Sequence, residues 1–246
     1  MPAWLTHPSI PVLHGFTTRR GGVSAGPYEA LNLGLSSGDT REHVEANRDW
    51  LLNQLGVTRG QVAAYNQVHG NTVATGEPSW FTADADAATT NTPGTLLVMS
   101  VADCLPIILH DPHTGAVAAI HAGWRGTVAG VAAATVQALS QRYDGRAHDL
   151  VAVLGPAISA AKYEVGPEVV HAAREAGLGL AVTREQPNGH AQFDVRAANE
   201  WQLSQAGVGH VHHVNHCTAS EPELFYSHRR DAGTTGRHWV FVQRGK

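Results

Sequence analysis

The stretch Leu96–Arg125, LLVMSVADCLPIILHDPHTGAVAAIHAGWR, constrains this chain more than any other. It holds three short apolar runs, Leu96–Val101, Pro106–Leu109 and Ala116–Ile120, each with the length and aliphatic content of a buried strand. Asp111-Pro112 and Thr114-Gly115 supply the turn between the second and third runs. Reactive side chains stand at the joints: Asp103 and Cys104 after the first run, His121 after the third. Strand ends on a packed sheet hold side chains firmly and still leave them within reach of solvent. A cysteine and a histidine so placed form a metal site or an activated thiol. The plainer alternative is a buried free cysteine beside a hydrogen-bonded core histidine. Gly123-Trp124-Arg125-Gly126 follows at once and leads into an alanine- and valine-rich helix.

Around this block the periodicity predicts strands at Ile10–Thr18, Val62–Tyr65, Thr72–Thr75, Leu150–Leu154, Val208–Val214 and Trp239–Val242. Helices are expected from an Asp39 or Thr40 cap through Leu55, over Thr127–Tyr143, over Pro167–Ala176 and over Val195–Ala206, with Gly56, Gly177 and Gly207 as stops. Pro78–Pro93 is polar and alanine-rich and reads as an irregular surface stretch. No linker, repeat or low-complexity tract divides the 246 residues, so 1–246 is read as one domain. Its class is α+β, because strands and helices do not alternate regularly enough for a doubly wound sheet.

Composition narrows the partners. A net charge of −4 argues against sequence-independent binding of nucleic acid. No run approaches the length needed to span a bilayer, and the opening MPAWLTHPSIPVL lacks a signal peptide's basic and apolar regions. Two cysteines do not make a disulfide framework. A cytoplasmic protein without membrane or nucleic-acid partners is therefore expected.

His69, like Cys104 and His121, falls between two expected strands, with 34 residues separating the first pair and 16 the second. That spacing matches no zinc-finger pattern. The donor types carry the signal instead: two imidazoles and a thiolate suit zinc or copper, and three protein ligands leave an open position. Asp103 is a candidate to orient a ligand imidazole, or simply a turn cap. Arginines recur beside these loops at Arg19-Arg20, Arg125 and Arg229-Arg230, as anion binders or as a solvated face. The run Gly209–Cys217, GHVHHVNHC, imitates a metal site, but strand alternation splits its histidines between two faces and favours an edge-strand row.

Four motifs occur in order: Asn66-Gln67-Val68-His69-Gly70, Ala102-Asp103-Cys104-Leu105-Pro106, His121-Ala122-Gly123-Trp124-Arg125-Gly126 and Leu224-Phe225-Tyr226-Ser227-His228-Arg229-Arg230-Asp231. With Arg20–Ser24, Leu31-Asn32-Leu33-Gly34-Leu35 and Tyr163-Glu164-Val165-Gly166, they resemble the purine nucleoside phosphorylase family once called multicopper polyphenol oxidases or laccase-domain proteins. Some members are described as peptidoglycan-editing factors. The resemblance runs from about Gly15 to Val242. It implies an α/β sandwich of mixed β-sheets flanked by helices, and a zinc on His69, Cys104 and His121. It also implies phosphorolysis of adenosine, inosine and S-methyl-5′-thioadenosine, with deamination of adenosine. Within that reading Cys104, Asp103 and Glu164 are the catalytic candidates. Arg19, Asn32, Arg125, Arg229 and Arg230 are the candidates for binding purine nucleoside and phosphate.

The laccase label implies copper instead. A multicopper oxidase draws on several His-x-His pairs, whereas this chain has one, His210 and His212. The remaining alternative is a hydrolase with Cys104 as nucleophile and His121 as base, which has no need of His69. Two departures from the family pattern stand out. Gly155–Tyr163, GPAISAAKY, carries no cysteine, and His228 precedes Arg229-Arg230 where a tyrosine is usual.

Overall fold

A computed structural model describes residues 2–245. One mixed sheet runs, in spatial order, Trp4–Leu5, His14–Thr17, His238–Gln243, Leu96–Val101, Val62–Asn66 and Ser79–Asp84. A second runs His210–His213, Val151–Leu154, Leu105–His110, Val117–Ala122, Ala87–Thr90 and Val73–Thr75. Glu164–Val165, Ala191–Phe193 and Val182–Thr183 form a small third sheet. The described residues form five α-helices: Arg41–Leu55, Trp124–Val128, Val131–Tyr143, Pro167–Glu175 and Val195–Gln205. The class is α+β, as expected.

The two large sheets stack face to face, and each has its outer face covered. Phe16, Leu97, Met99 and Val240 of the first meet Ile108, Val117, Ala119 and Val153 of the second. Leu96, Val98 and Phe241 point the other way, onto Leu51 and Leu52 of the helix Arg41–Leu55. Ile107, Leu109 and Ile120 face the remaining helices through Val136, Leu139 and Ala198. Burial on both faces is why these strands read as unbroken apolar runs.

The connectivity gathers the three joints. Val62–Asn66 and Leu96–Val101 are parallel neighbours, so both leave the first sheet at the same end. Each then crosses to the second sheet, one through the loop bearing His69, the other through the joint bearing Cys104. The strand Leu105–His110 pairs antiparallel with Val117–Ala122, and its partner for Pro106 is His121. The chain therefore returns His121 to the point where Cys104 left.

Some expectations need correcting. Pro78–Pro93 is not irregular: it contributes Ser79–Asp84 to one sheet and the wholly buried Ala87–Thr90 to the other. Alanine is a poor strand former in isolation, but burial against Ala118, Ala119 and the helix Val131–Tyr143 overrides that preference. The helix expected over Thr127–Tyr143 is two helices, Trp124–Val128 and Val131–Tyr143, parted where the chain turns left-handed at Gly130. The third sheet was not anticipated, since strands of two or three residues carry no readable period. His210–His213 does form a sheet edge, and its histidines diverge: His212 stacks on His7 at 4.9 Å while His213 pairs with Glu200 at 3.4 Å. No helix among the described residues is long and apolar enough to cross a membrane.

Candidate metal centre

His69, Cys104 and His121 each present one donor atom, and the three donors lie within 4.8 Å of one another. The two rings meet edge to face at 4.9 Å between centroids. His121 is the penultimate residue of its strand and shares a face with Val117 and Ala119, which aims it into the gap between the sheets. Cys104 occupies the joint between two strands and is half-buried. His69 is exposed and adopts a left-handed backbone, φ +61°.

A buried carboxylate that sequence reasoning missed organises the group. Asp86, fully buried, accepts from His121 Nδ1 at 2.8 Å. A carboxylate only accepts, so Nδ1 carries a proton and Nε2 is the nitrogen turned to the site. The same carboxylate accepts from the backbone N–H groups of Val68 (3.2 Å), His69 (3.0 Å) and Gly70 (2.7 Å), which holds the His69 loop in its left-handed turn. Asp86 therefore does for His121 what Asp103 was a candidate to do. Its only sequence signal was an aspartate among small residues in a segment read as surface. Gln67 fixes the other end of the loop, exchanging hydrogen bonds of 2.8 and 2.7 Å with the backbone of Ser100.

Electrostatics prepares the donors. Burial pushes the Cys104 thiol up, but the imidazoles of His121 and His69 outweigh it and hold the group down at about 6. Burial pushes His121 down, and the opposing charges of Cys104 and Asp86 raise it instead to about 9. Burial would also raise Asp86, yet its hydrogen bonds from His121, Gly70 and His69 keep its carboxyl below the usual range. Without metal, Cys104 and His121 therefore stand at neutral pH as thiolate and imidazolium, and a bound cation would take the place of the His121 Nε2 proton. Gly123 leaves the space: a Cβ there would stand 3.0 Å from Cys104 Sγ, 3.1 Å from His69 Cδ2 and 3.8 Å from His121 Nε2. With soft and imidazole donors converging on a space that even a methyl group would fill, the residues fit a zinc- or copper-sized ion.

The site opens into a cleft of about 690 Å³, within the range of small-molecule pockets (about 300–1,000 Å³). Tyr65, Gln67, Phe81, Ser100 and His228 contribute to its wall. Its two arginines are Arg48 and Arg237, neither of which stood out in the sequence. Arg48 is buried against Trp80, Phe81 and Trp239, with guanidinium-to-ring distances of 5.2–5.4 Å. Phe81, non-glycine at φ +56°, sits where the pairing between Val62–Asn66 and Ser79–Asp84 shifts register.

The other sequence candidates stand outside this wall. Asp103 is buried and accepts from Thr218 Oγ1, Ser227 Oγ and the Arg229 N–H, clamping the 218–229 region to the cysteine joint. Glu164 is exposed, its carboxylate beside Gln186 and His190. Arg19 donates to the carbonyls of Pro222 and Glu29 and lies over Tyr226. Arg230 is bonded to Asp231 and to the carbonyls of Thr218 and Phe225. Arg229 donates once, to the Glu164 carbonyl, and stacks on Tyr163 at 4.9 Å. Arg125 is exposed and lies over its neighbour Trp124. Asn32, wholly buried, binds Ser37 and Asp39 and accepts from the N–H groups of Gly34 and Arg237.

The family model described as multi-copper polyphenol oxidoreductase laccase matches residues 13–245. A Deinococcus radiodurans protein named purine nucleoside phosphorylase is 42% identical over 238 residues, 97% of this chain and 91% of the relative. Purine nucleoside phosphorylase YfiH of Escherichia coli is 39% identical over 228 residues, 92% of this chain and 91% of that one. The crystal structure of YlmD from Geobacillus stearothermophilus matches with a TM-score of 0.92 at 33% identity, covering 99% of both chains. Neisseria meningitidis NMB0706 matches with a TM-score of 0.89 at 36% identity over the whole of both chains.

Proposed function

Because this chain belongs to the family matched by the multi-copper polyphenol oxidoreductase laccase model, with relatives named purine nucleoside phosphorylase, we propose that it is a metal-dependent purine nucleoside phosphorylase. Adenosine, inosine and S-methyl-5′-thioadenosine are the proposed substrates, zinc the proposed metal, and the cytoplasm the proposed location. The observation that carries this reading is the three-donor group in the wall of the cleft. A zinc held there by His69, Cys104 and His121 would supply a Lewis acid.

The chain's own residues have distinct parts in this reading. Asp86 holds the proton on His121 Nδ1 and the loop of His69, so both imidazoles keep a fixed direction. In phosphorolysis a phosphate oxygen bonds to ribose C1′ as the C1′–N9 bond breaks, and the purine leaves with the bonding pair and takes up a proton. The protein's task is to align the anion and stabilise the departing base. In the proposed deamination, water replaces the C6 amino group of adenosine, giving inosine and ammonia. Of the two carboxyls suggested for proton transfer, Asp103 spends both oxygens on three donors, and Glu164 lies outside the cleft wall with its oxygens beside Gln186 and His190.

Chromatography of adenosine incubations tests this directly. Free purine and ribose 1-phosphate are expected with phosphate, and inosine without it. A Cys104→Ala variant should lose the metal by elemental analysis and both products with it. Metal-replete protein that forms neither product while oxidising a phenol at a substantial rate would favour the copper oxidase.

A second reading has one observation in its favour. Cys104, His121 and Asp86 form a thiolate–imidazole–carboxylate series, which is also the arrangement of a cysteine hydrolase. Metal removal separates the two, since a hydrolase keeps its activity in chelator and the phosphorylase does not.

A further inference from the structure

Two arginines line the cleft, Arg48 and Arg237, and only one of them is fully engaged; Arg125 and Arg229 also keep unfilled donors but stand outside the wall. Arg48, in the cleft wall, donates twice to the Leu33 carbonyl through Nε and Nη2, and its Nη1 lies 3.6 Å from Glu45. Arg19 and Arg230 spend their forks on carbonyls and carboxylates, as described above. Arg237 differs. Its Nη1 donates to the carbonyls of Thr235 and Gly236, while Nε and Nη2 have no protein acceptor, and the residue pairs with no carboxylate among those described. It is half-buried in the wall of the cleft that holds Cys104 and His121. A guanidinium withdrawn from water with an unfilled donor edge calls for an anion.

The surrounding structure holds this side chain in place from both ends. Asn32, buried, accepts from the Arg237 N–H at 2.9 Å and from the Gly34 N–H at 3.1 Å, tying the two strands of chain together. Gly34 then lets the arginine stem pass, because a Cβ at residue 34 would overlap Arg237 Cβ and Cγ. Gly34 has φ −98° and ψ 117°, which any residue adopts, so the demand there is for space. Exposed Ser36 lies on the same wall.

We propose that Arg237 is the anion anchor of the cleft, taking inorganic phosphate on its free Nε/Nη2 edge. This rests on the phosphorylase reading and assigns its phosphate subsite to a residue other than Arg19, Arg229 or Arg230. A bidentate fork fits two phosphate oxygens, whereas lysine offers a single ammonium.

The test is calorimetric binding of inorganic phosphate to the metal-loaded protein, which needs no turnover and so separates this assignment from the phosphorylase reading itself. Arg237→Gln should weaken phosphate at least tenfold, Arg237→Lys by less, and Arg229→Gln by less than threefold. Circular dichroism and metal content of each variant establish that it has folded. In phosphorolysis assays Arg237→Gln should raise the KM for phosphate far more than it lowers phosphate-free inosine formation. Parent-like phosphate binding by folded Arg237→Gln overturns the proposal, as does a loss confined to Arg229→Gln. Parallel titration with adenosine 5′-monophosphate distinguishes free phosphate from a phosphate ester. If only the nucleotide depends on Arg237, the assignment to inorganic phosphate is wrong.

Discussion

Replacing Asp86 by asparagine removes one acceptor oxygen from a carboxylate that serves four donors. Oδ1 takes His69 N–H and His121 Nδ1–H, while Oδ2 takes Val68 N–H and Gly70 N–H. Whichever oxygen the amide nitrogen replaces, two donors are left facing a donor. An unsatisfied buried donor costs about 1–3 kcal/mol, and partial relaxation of the exposed 68–70 loop brings the pair to roughly 2–4 kcal/mol. In a chain of this length about 1 kcal/mol moves the melting temperature by roughly 2–4 °C, so a fall of about 5–15 °C is expected. Metal affinity should fall about 10–100-fold, since both imidazoles lose their orientation. Scanning calorimetry in chelator reads the first effect, and a competitive metal titration reads the second. An asparagine variant that melts with the parent and binds metal equally well would refute the role given to Asp86.

Three further outcomes follow from the same geometry. Gly123 has φ −73° and ψ 171°, open to any residue, so Gly123→Ala should leave the metal-free melting temperature nearly unchanged while cutting metal affinity about tenfold or more, read by the same titration. His69→Gln should lose metal and leave Cys104 faster to react with iodoacetamide; unchanged metal content and alkylation rate would exclude His69 as a ligand. Burial holds His238 down at about 3, neutral, with Nε2 accepting the Tyr226 N–H. The unfolded chain therefore takes up this proton first, and stability should fall as pH drops from about 6.5 towards 3, a limb that flattens in His238→Asn when urea unfolding is followed across that range.

The parts of this structure legible in the sequence are those governed by period and donor type. Leu96–Val101 was read to the residue, and the helix capped by Thr40 ends at Leu55 as its glycine stop indicated. Donor type and the family motifs together single out His69, Cys104 and His121, and the parallel pairing of two strands explains why joints so distant in sequence meet. What stayed hidden depends on tertiary contacts. Ala87–Thr90 is a strand because its neighbours bury it, and Asp86 matters because of where that strand begins. The arginines failed for a related reason. Adjacent guanidinium groups such as Arg229-Arg230 attract notice in a sequence, yet a folded chain fills most of them with carbonyls. Arg237 stands alone in sequence and keeps a free edge.

His69 decides between the metal centre and the cysteine hydrolase. A thiolate–imidazole pair needs only Cys104 and His121, with Asp86 behind the imidazole. Yet Asp86 also spends three backbone contacts on the His69 turn, and that turn holds a non-glycine residue at φ +61°. Such a conformation costs about 1–3 kcal/mol and persists only where surrounding contacts enforce it. One buried carboxylate ordering both imidazoles around a thiolate is what a three-ligand site requires, and a hydrolase would leave that cost without a purpose. The same donors bear on the word multi-copper. Several coppers need several clusters, and the described residues bring together one group of three donors. His7 and His212 stack on each other, His213 pairs with Glu200, and His216 with Glu221. The family's laccase description thus finds, among the described residues, one group of donors that could hold a metal.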